Sequence, residues 1–401
     1  MARLGTATTS APPNPMRRLL LPTLLLACTS GAATGDRDAA ADATTVDAGV
    51  FDLPATGDLD LLFVIDNSGA ISGEQFRVVE EIPALVLALA EGVRRDRVTD
   101  AEVFTFPRVQ RLHIGVVTMD MGAGGALVPT CRNSSFGDDG ILQTRGNVAS
   151  MARRCEPENP RFQVYDALVP NQLEQAEALG NDVACVAEVG THGCGFEQPL
   201  DAALKAITPP ESPLRFQEGT RGNGDVNAGF IRPGATLAIV VLTDEDDCSI
   251  LDPELLDPTS TRFTGSLILR CFNHPEAVHP VSRYVEGLAA GRDPRRLVFG
   301  ALVGVPVRLG TPFGEEPDFA RILSDPDMIQ RVDEDNPNRL ETSCNVPGTG
   351  LAFPPRRLVQ TAEGLAAAGA YTTVQSTCQS DYGPMVDAIL ERIVRSMAAH
   401  P

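Results

Sequence analysis

Two short apolar segments of the sequence end abruptly in oxygen-bearing side chains. The first, residues 61–65, is followed by the run Asp-Asn-Ser-Gly, which contains Asp66 and Ser68. The second, residues 235–243, is followed by four consecutive acidic residues that begin at Asp244. Carboxylate and hydroxyl oxygens are the ligands that Mg²⁺ and similar hard cations prefer. Asp66, Ser68 and Asp244 are therefore candidate ligands for a divalent cation.

The segments that carry these residues have the pattern of buried parallel strands. Such strands are short and continuously apolar, and they end in a turn. Strands that alternate with helical segments predict a doubly wound, mostly parallel α/β sheet, in which ligands bind at the carboxyl ends of the strands. Strands are predicted near 59–65, 112–118, 235–243, 296–303 and 371–376, and helices near 73–93, 170–189, 199–207, 281–290, 318–323, 357–368 and 387–397. Pro83 predicts a kink or a new start in the first helix.

The two loops resemble metal-binding loops of the von Willebrand factor A-type domain. Residues 66–70 are similar to the Asp-x-Ser-x-Ser motif that follows the first strand of that family, with Ala70 in place of the last serine. Thr243 and Asp244 are similar to its Thr-Asp-Gly motif, with Glu245 in place of glycine. An ordinary capped turn after the first strand and a solvated acidic turn after the second are the alternatives.

The resemblance implies a metal-ion-dependent adhesion site. In the family, a threonine from the loop before a later helix also binds the metal, and Thr191 is the nearest candidate, although counting back from the helix places Gly195 there. Glu197 is a possible substitute oxygen ligand. Its alternative role is that of an acid in the first turn of a helix, where the helix dipole favours it.

The resemblance further implies a divalent cation and a protein partner whose carboxylate completes the coordination. Mg²⁺ is the expected cation, with Ca²⁺ and Mn²⁺ as alternatives. Because Ala70 cannot supply a hydroxyl ligand, the site is expected to be weak or vacant.

The amino-terminal segment is typical of a lipoprotein leader. A basic pair at 17–18 and an apolar run over 19–27 precede Cys28, the expected lipidated residue. Residues 1–27 are therefore predicted to be a signal peptide, with Met16 as a possible true start. The alternative is an ordinary signal peptide with an unrelated cysteine.

The rest of the chain divides into a tether and one domain. Residues 28–57 are rich in Ala, Thr, Asp and Gly and predict a disordered tether. Residues 58–398 predict the A-type domain, with insertions near 123–165, 209–233, 245–275 and 305–355. With this leader, the motifs resemble lipoproteins of myxobacteria and related Gram-negative bacteria. Thr29, directly after the lipidated cysteine, favours the outer membrane by analogy.

Eight of the nine cysteines remain after Cys28 is set aside. An even number in an exported chain predicts four disulfides, although eight cysteines allow 105 pairings. Metal-bound thiolates are the alternative, but no Cys-x-x-Cys pair is present. Pairing of nearest neighbours gives Cys131–Cys155, Cys185–Cys194, Cys248–Cys271 and Cys344–Cys378.

The net charge and the motifs of the sequence limit the classes of function that this chain can have. A net charge of −20 argues against nucleic acid, which needs a basic surface. No apolar stretch is long enough to span a bilayer, so the lipid is the only expected membrane contact. We expect a binding or adhesion module of the cell envelope. A structural or assembly protein with a decayed metal site is the alternative. A hydrolase is disfavoured, because no Gly-x-Ser-x-Gly elbow is present.

Overall fold

A computed structural model describes residues 57–96, 99–146, 155–156 and 158–399. The predicted signal peptide over 1–27 and the lipidation of Cys28 lie outside the described residues. So does all but the last residue of the predicted tether over 28–57.

The described residues form ten strands and eight α-helices. The strands are β1 (Asp58–Ile65), β2 (Val93–Arg95), β3 (Glu102–Thr105), β4 (Arg111–Thr118), β5 (Phe162–Asp166), β6 (Thr236–Leu242), β7 (Leu297–Val303), β8 (Cys344–Val346), β9 (Gly350–Ala352) and β10 (Tyr371–Ser376). The helices are α1 (Ser72–Glu91), α2 (Gln172–Ala187), α3 (Pro199–Ile207), α4 (Arg270–Asn273), α5 (Val281–Ala289), α6 (Phe319–Ser324), α7 (Arg356–Ala367) and α8 (Gly383–Ala398).

Six of the strands form one central sheet in the order β10-β7-β6-β1-β4-β5. All neighbours pair in parallel except β4 and β5, which are antiparallel. This arrangement confirms the predicted doubly wound, mostly parallel α/β sheet, and it is consistent with a Rossmann-like fold of the von Willebrand A type. Strand β1 therefore lies in the middle of the sheet, with β4 as its neighbour on one side and β6 as its neighbour on the other.

Helices cover both faces of this sheet, which explains why β1 is apolar at every position over residues 61–65. Leu61 and Phe63 pack into a core with α1, α2 and α8. Leu62 and Val64 point to the opposite face and pack with α3, α5 and α7. A strand buried on both faces needs apolar side chains on both faces.

Several elements differ from the prediction. Helix α1 continues through Pro83, so no new helix starts there. Gly180 of α2 packs closely against Pro83, and a Cβ at this position would clash with it. The hairpins β2–β3 and β8–β9 and the edge strand β5 were not predicted; β5 begins inside the stretch 123–165 that was expected to be an insertion. These strands have three to five residues, too few for a clear apolar pattern.

Four disulfides join the cysteines in the pairs Cys131–Cys194, Cys155–Cys185, Cys248–Cys271 and Cys344–Cys378. The last two confirm the nearest-neighbour pairing, whereas the predicted pairs Cys131–Cys155 and Cys185–Cys194 are wrong. The loop after β4, around residue 122, and the loop before α3, around residue 194, both lie at the carboxyl edge of the sheet, where Gln198 N donates to Met119 O at 3.2 Å. Proximity across this edge, rather than along the sequence, brings the partners together.

The disulfides also bear on the compartment. Disulfides persist in oxidising environments and are rare in the cytosol, so four of them indicate an extracytoplasmic protein. None of the helices in the described residues combines the length and apolar character that crossing a bilayer requires.

Candidate functional site

The predicted ligands lie where the winding direction of the sheet reverses. Strands β1 and β6 are parallel neighbours, and Ile65 lies opposite Leu242. The chain continues from β1 toward β4 and from β6 toward β7, so the two loops diverge at their carboxyl ends. Such a crevice is the usual ligand site of an open α/β sheet. Asp66 and Thr243, the first residues after the two strands, therefore start side by side.

Asp66 is completely buried and joins the two loops. Its Oδ1 accepts a hydrogen bond from the backbone N–H of Ser68 at 2.7 Å. Its Oδ2 accepts one from the hydroxyl of Thr243 at 2.7 Å. Burial raises the pKa of the Asp66 carboxyl, while these bonds and one to the Ser68 side chain oppose the rise.

Asp244 lies beside Asp66 and is less well satisfied. It is only 4% exposed, and its Oδ1 has no hydrogen-bond partner. Burial, followed by the negative charges of Asp66 and Glu245, raises the pKa of Asp244 to about 9. Without a cation, this carboxyl therefore holds a proton at neutral pH.

Glu197 and Glu245 extend this acidic cluster. Glu197 is buried in the turn before α3, and its pKa is raised well above the usual value by burial and then by the charges of Glu245 and Asp66. The pKa of Glu245 is raised to about 7 by burial and by the charge of Asp66, and a hydrogen bond to Glu197 opposes the rise. Two carboxyl groups that bond to each other must share a proton.

The second half of the acidic run has a different environment. Asp246 accepts hydrogen bonds from the backbone N–H of Arg357 at 2.9 Å and from the side chain of Gln330 at 2.9 Å. Asp247 forms an ion pair with the guanidinium of Arg357 at 2.9 Å and accepts a hydrogen bond from the hydroxyl of Ser249. Burial raises the pKa of Asp246 only to about 6, because the charge and the N–H of Arg357 oppose it.

The loop expected to carry a threonine ligand does contact the Asp66 loop, but through other residues. The side chain of Gln75 donates to the backbone oxygens of both Asp66 and Gly190. The N–H of Gly193 donates to Asn67 O at 2.7 Å, and a Cβ at Gly193 would clash with the Asn67 side chain. Thr191 is partly exposed and forms no side-chain hydrogen bond with the described residues.

The donors fit a divalent cation in charge and chemistry. Asp244 Oδ1 is buried without a partner, and none of the main effects on the pKa of Asp66 or Asp244 comes from a Lys or Arg side chain. In the described ranges, no three His, Cys, Asp or Glu side chains are arranged to hold a metal ion. Hydroxyl groups such as that of Ser68, or water, would therefore have to complete the coordination.

Sequence reasoning missed the role of Thr243, whose hydroxyl connects the two loops. The signal was present, because Thr243 belongs to the Thr-Asp motif. It also missed Gln75 and Glu74 in the first turns of α1. The charge of Glu74 contributes to the raised pKa of Asp244, and no strand-end motif points to it. Such contacts depend on how α1 packs and leave no pattern in the sequence.

Comparisons with known proteins add little. No protein-family model matches the sequence, and no curated protein matches it. Among solved structures, the chain is similar to the crystal structure of the human COPII-coat protein Sec24c, with 11% identity over 63% of this chain and 27% of that chain. The chain thus spans about a quarter of the length of that protein. The TM-score of 0.22 is too low to support an argument about fold or function.

Proposed function

We propose that this protein is an extracytoplasmic binding module, anchored by a lipid at Cys28 in the cell envelope, with the outer membrane as the favoured location. Its site holds a divalent cation, with Mg²⁺ expected and Ca²⁺ or Mn²⁺ as alternatives. Asp66, Ser68 and Asp244 are the proposed ligands. When bound, the cation offsets the buried carboxylates and offers a coordination position to a carboxylate of a protein partner.

One observation carries the proposal. A buried oxygen of Asp244, which lies next to the buried carboxyl of Asp66, has no hydrogen-bond partner. Buried charges in proteins are normally paired or bind metals. Here the acids lack a basic partner, so either protons or a cation must neutralise them. They lie at the crevice between β1 and β6, where open α/β sheets usually bind their ligands.

Isothermal titration calorimetry with Mg²⁺, Mn²⁺ and Ca²⁺ tests the metal site. We expect one cation per chain, and a loss of affinity of about a hundredfold in Asp66→Ala, because a charged hard ligand is removed. Asp225→Asn, a charge-matched change in an exposed loop, should bind like the wild type. Absence of binding, or binding that Asp66→Ala does not weaken, contradicts the proposed site.

Partner capture from envelope extract tests the adhesive role. The full-length protein should retain a partner in Mg²⁺ and release it in EDTA, and Asp66→Ala should fail to retain it. Equal retention of the same partner in EDTA would instead favour the structural or assembly protein with a decayed site. That outcome is physically reasonable, because Ala70 removes one hydroxyl ligand of the family motif.

A further inference from the structure

A cavity of about 380 Å³ lies beside the proposed metal site. Glu197 and Glu245 form one part of its lining, and apolar side chains such as Ile268, Phe272 and Phe353 form another. The volume is within the range of small-ligand sites, which combine apolar walls with a few polar groups. Ile268 is 63% exposed, so its apolar side chain is open to solvent and available to a ligand.

The charged groups around the cavity fall into two sets. Asp247 and Arg357 form an ion pair, and Arg339 pairs with Asp333 at 2.8 Å. Glu197 and Glu245 both line the cavity, and neither forms an ion pair with a basic side chain of the described residues. Glu197 is only 4% exposed, so this acid is buried on the cavity wall without a basic partner from the described residues.

We propose that this cavity binds an arginine side chain of the protein partner, with the guanidinium on Glu197 and Glu245 and the alkyl stem against the apolar wall. The inference rests on the proposed function, because it assigns a second contact to the same partner. Two adjacent carboxyl groups suit the planar fork of a guanidinium, and an aromatic wall suits its flat face. A chain of net charge −20 also attracts basic partners.

The smallest probe of this site is N-acetyl-argininamide, with its citrulline counterpart as a neutral group of the same shape. Calorimetry or saturation-transfer NMR should detect binding of the arginine probe. The citrulline probe should bind at least about tenfold more weakly, since it cannot form charge-assisted hydrogen bonds. Equal binding of the two probes overturns the proposal.

Two variants locate the binding. Glu197→Gln should lower the affinity for the arginine probe about tenfold, because it removes one carboxylate without changing the size of the side chain. Ile268 is exposed, so a polar side chain there is compatible with folding. Ile268→Lys should lower the affinity for the arginine probe because its positive charge repels the guanidinium, and the neutral Ile268→Gln should have a smaller effect. Unchanged binding in Ile268→Lys and in a folded Glu197→Gln variant shows that the probe binds elsewhere, and the proposal fails.

Cation titrations of the same variants separate this inference from the metal site. Ile268→Gln, at a cavity position outside the acidic cluster, should retain cation binding within about threefold, and Asp66→Ala should lose the cation but keep the arginine probe, since the two groups serve different ligands. If Glu197→Gln abolishes cation binding and leaves the arginine probe unaffected, Glu197 is a metal ligand and the arginine site is wrong. If no cation binds but the arginine probe does, the metal site fails alone.

Discussion

Four consecutive acids follow β6, and the first two differ from the last two in their surroundings. Asp244 and Glu245 face other carboxyl groups, and Asp244 has a buried oxygen without a partner. Asp246 and Asp247 both contact Arg357. The backbone N–H of Arg357 donates to Asp246, and its guanidinium forms an ion pair with Asp247. The second pair attaches the start of α7 to the loop after β6.

This difference separates acids that build the fold from acids available to a ligand. A buried carboxylate with a basic partner has its charge compensated, and removing either partner destabilises the native state because it leaves the other charge buried and unpaired. A buried carboxyl without one keeps a proton and destabilises the native state at neutral pH, unless something else binds there. Four predictions test this contrast, in order of decreasing expected effect.

The largest effect is expected on stability, with opposite signs for the two pairs. Asp247→Ala should lower the free energy of unfolding by about 3–5 kcal/mol, because it leaves Arg357 without its buried partner. Asp244→Asn should raise it in EDTA by about 1–3 kcal/mol, because the carboxyl no longer has to be held neutral against its ordinary pKa. Urea unfolding measures both, and Asp225→Asn should change little. A large destabilisation by Asp244→Asn would show that this carboxyl is structural.

The second prediction concerns pH. The pKa of Asp244 rises from 3.8 in the unfolded chain to about 9 in the fold, so the folded state holds the proton more tightly. Its stabilising contribution is therefore complete below about pH 4 and is lost as the pH rises to about 9. Melting temperatures in EDTA should fall over this interval, and the fall should be smaller in Asp244→Asn. Excess Mg²⁺ should also reduce the fall, because it competes with the proton. An identical slope in the wild type and the variant contradicts this assignment.

A smaller effect is expected from the hydroxyl that joins the loops. Thr243→Val removes the donor to Asp66 Oδ2 but keeps the shape of the side chain. Cation affinity should fall about tenfold, because the carboxylate loses its fixed orientation. Thr243→Ser is the matched control and should restore most of the affinity. Equal titration curves for the Val and Ser variants would show that this bond does not orient the site.

The smallest effect is expected at Ala70, which stands where the Asp-x-Ser-x-Ser motif that residues 66–70 resemble has its last serine. Ala70→Ser should tighten Mg²⁺ binding by about two- to tenfold if its hydroxyl reaches the cation. Ala70→Val, which adds bulk without a hydroxyl, should not tighten it. Because Ala70 is exposed, neither change should alter thermal stability appreciably. Tightening by both variants would point to a cause other than the hydroxyl.

Much of the fold was predictable because its strongest signals are local. Strands β1, β6 and β7 contain continuous apolar runs, and the alternation of strands with helices along the chain predicts a doubly wound sheet. Strand β5 was missed, because an edge strand needs few buried side chains. Two disulfides were also mispaired, because Cys131 and Cys194 meet across the edge of the sheet rather than along the chain.

For the site, Asp66, Ser68 and Asp244 could be proposed from the sequence, since each follows an apolar strand and its side chain can bind a hard cation. The sequence could not divide the acidic run into two pairs, because the division depends on where Arg357 lies, more than 100 residues away. It also could not show that Glu197 reaches Glu245, since the two acids come from different loops.

By itself, the sequence determined the sheet and the chemical character of its strand ends, because apolar periodicity and side-chain type are properties of neighbouring residues. Only the tertiary structure decided which acids are neutralised by the protein and which are left for a ligand. That decision depends on burial and on charges brought together from distant parts of the chain, and the cost of burying a charge depends on both.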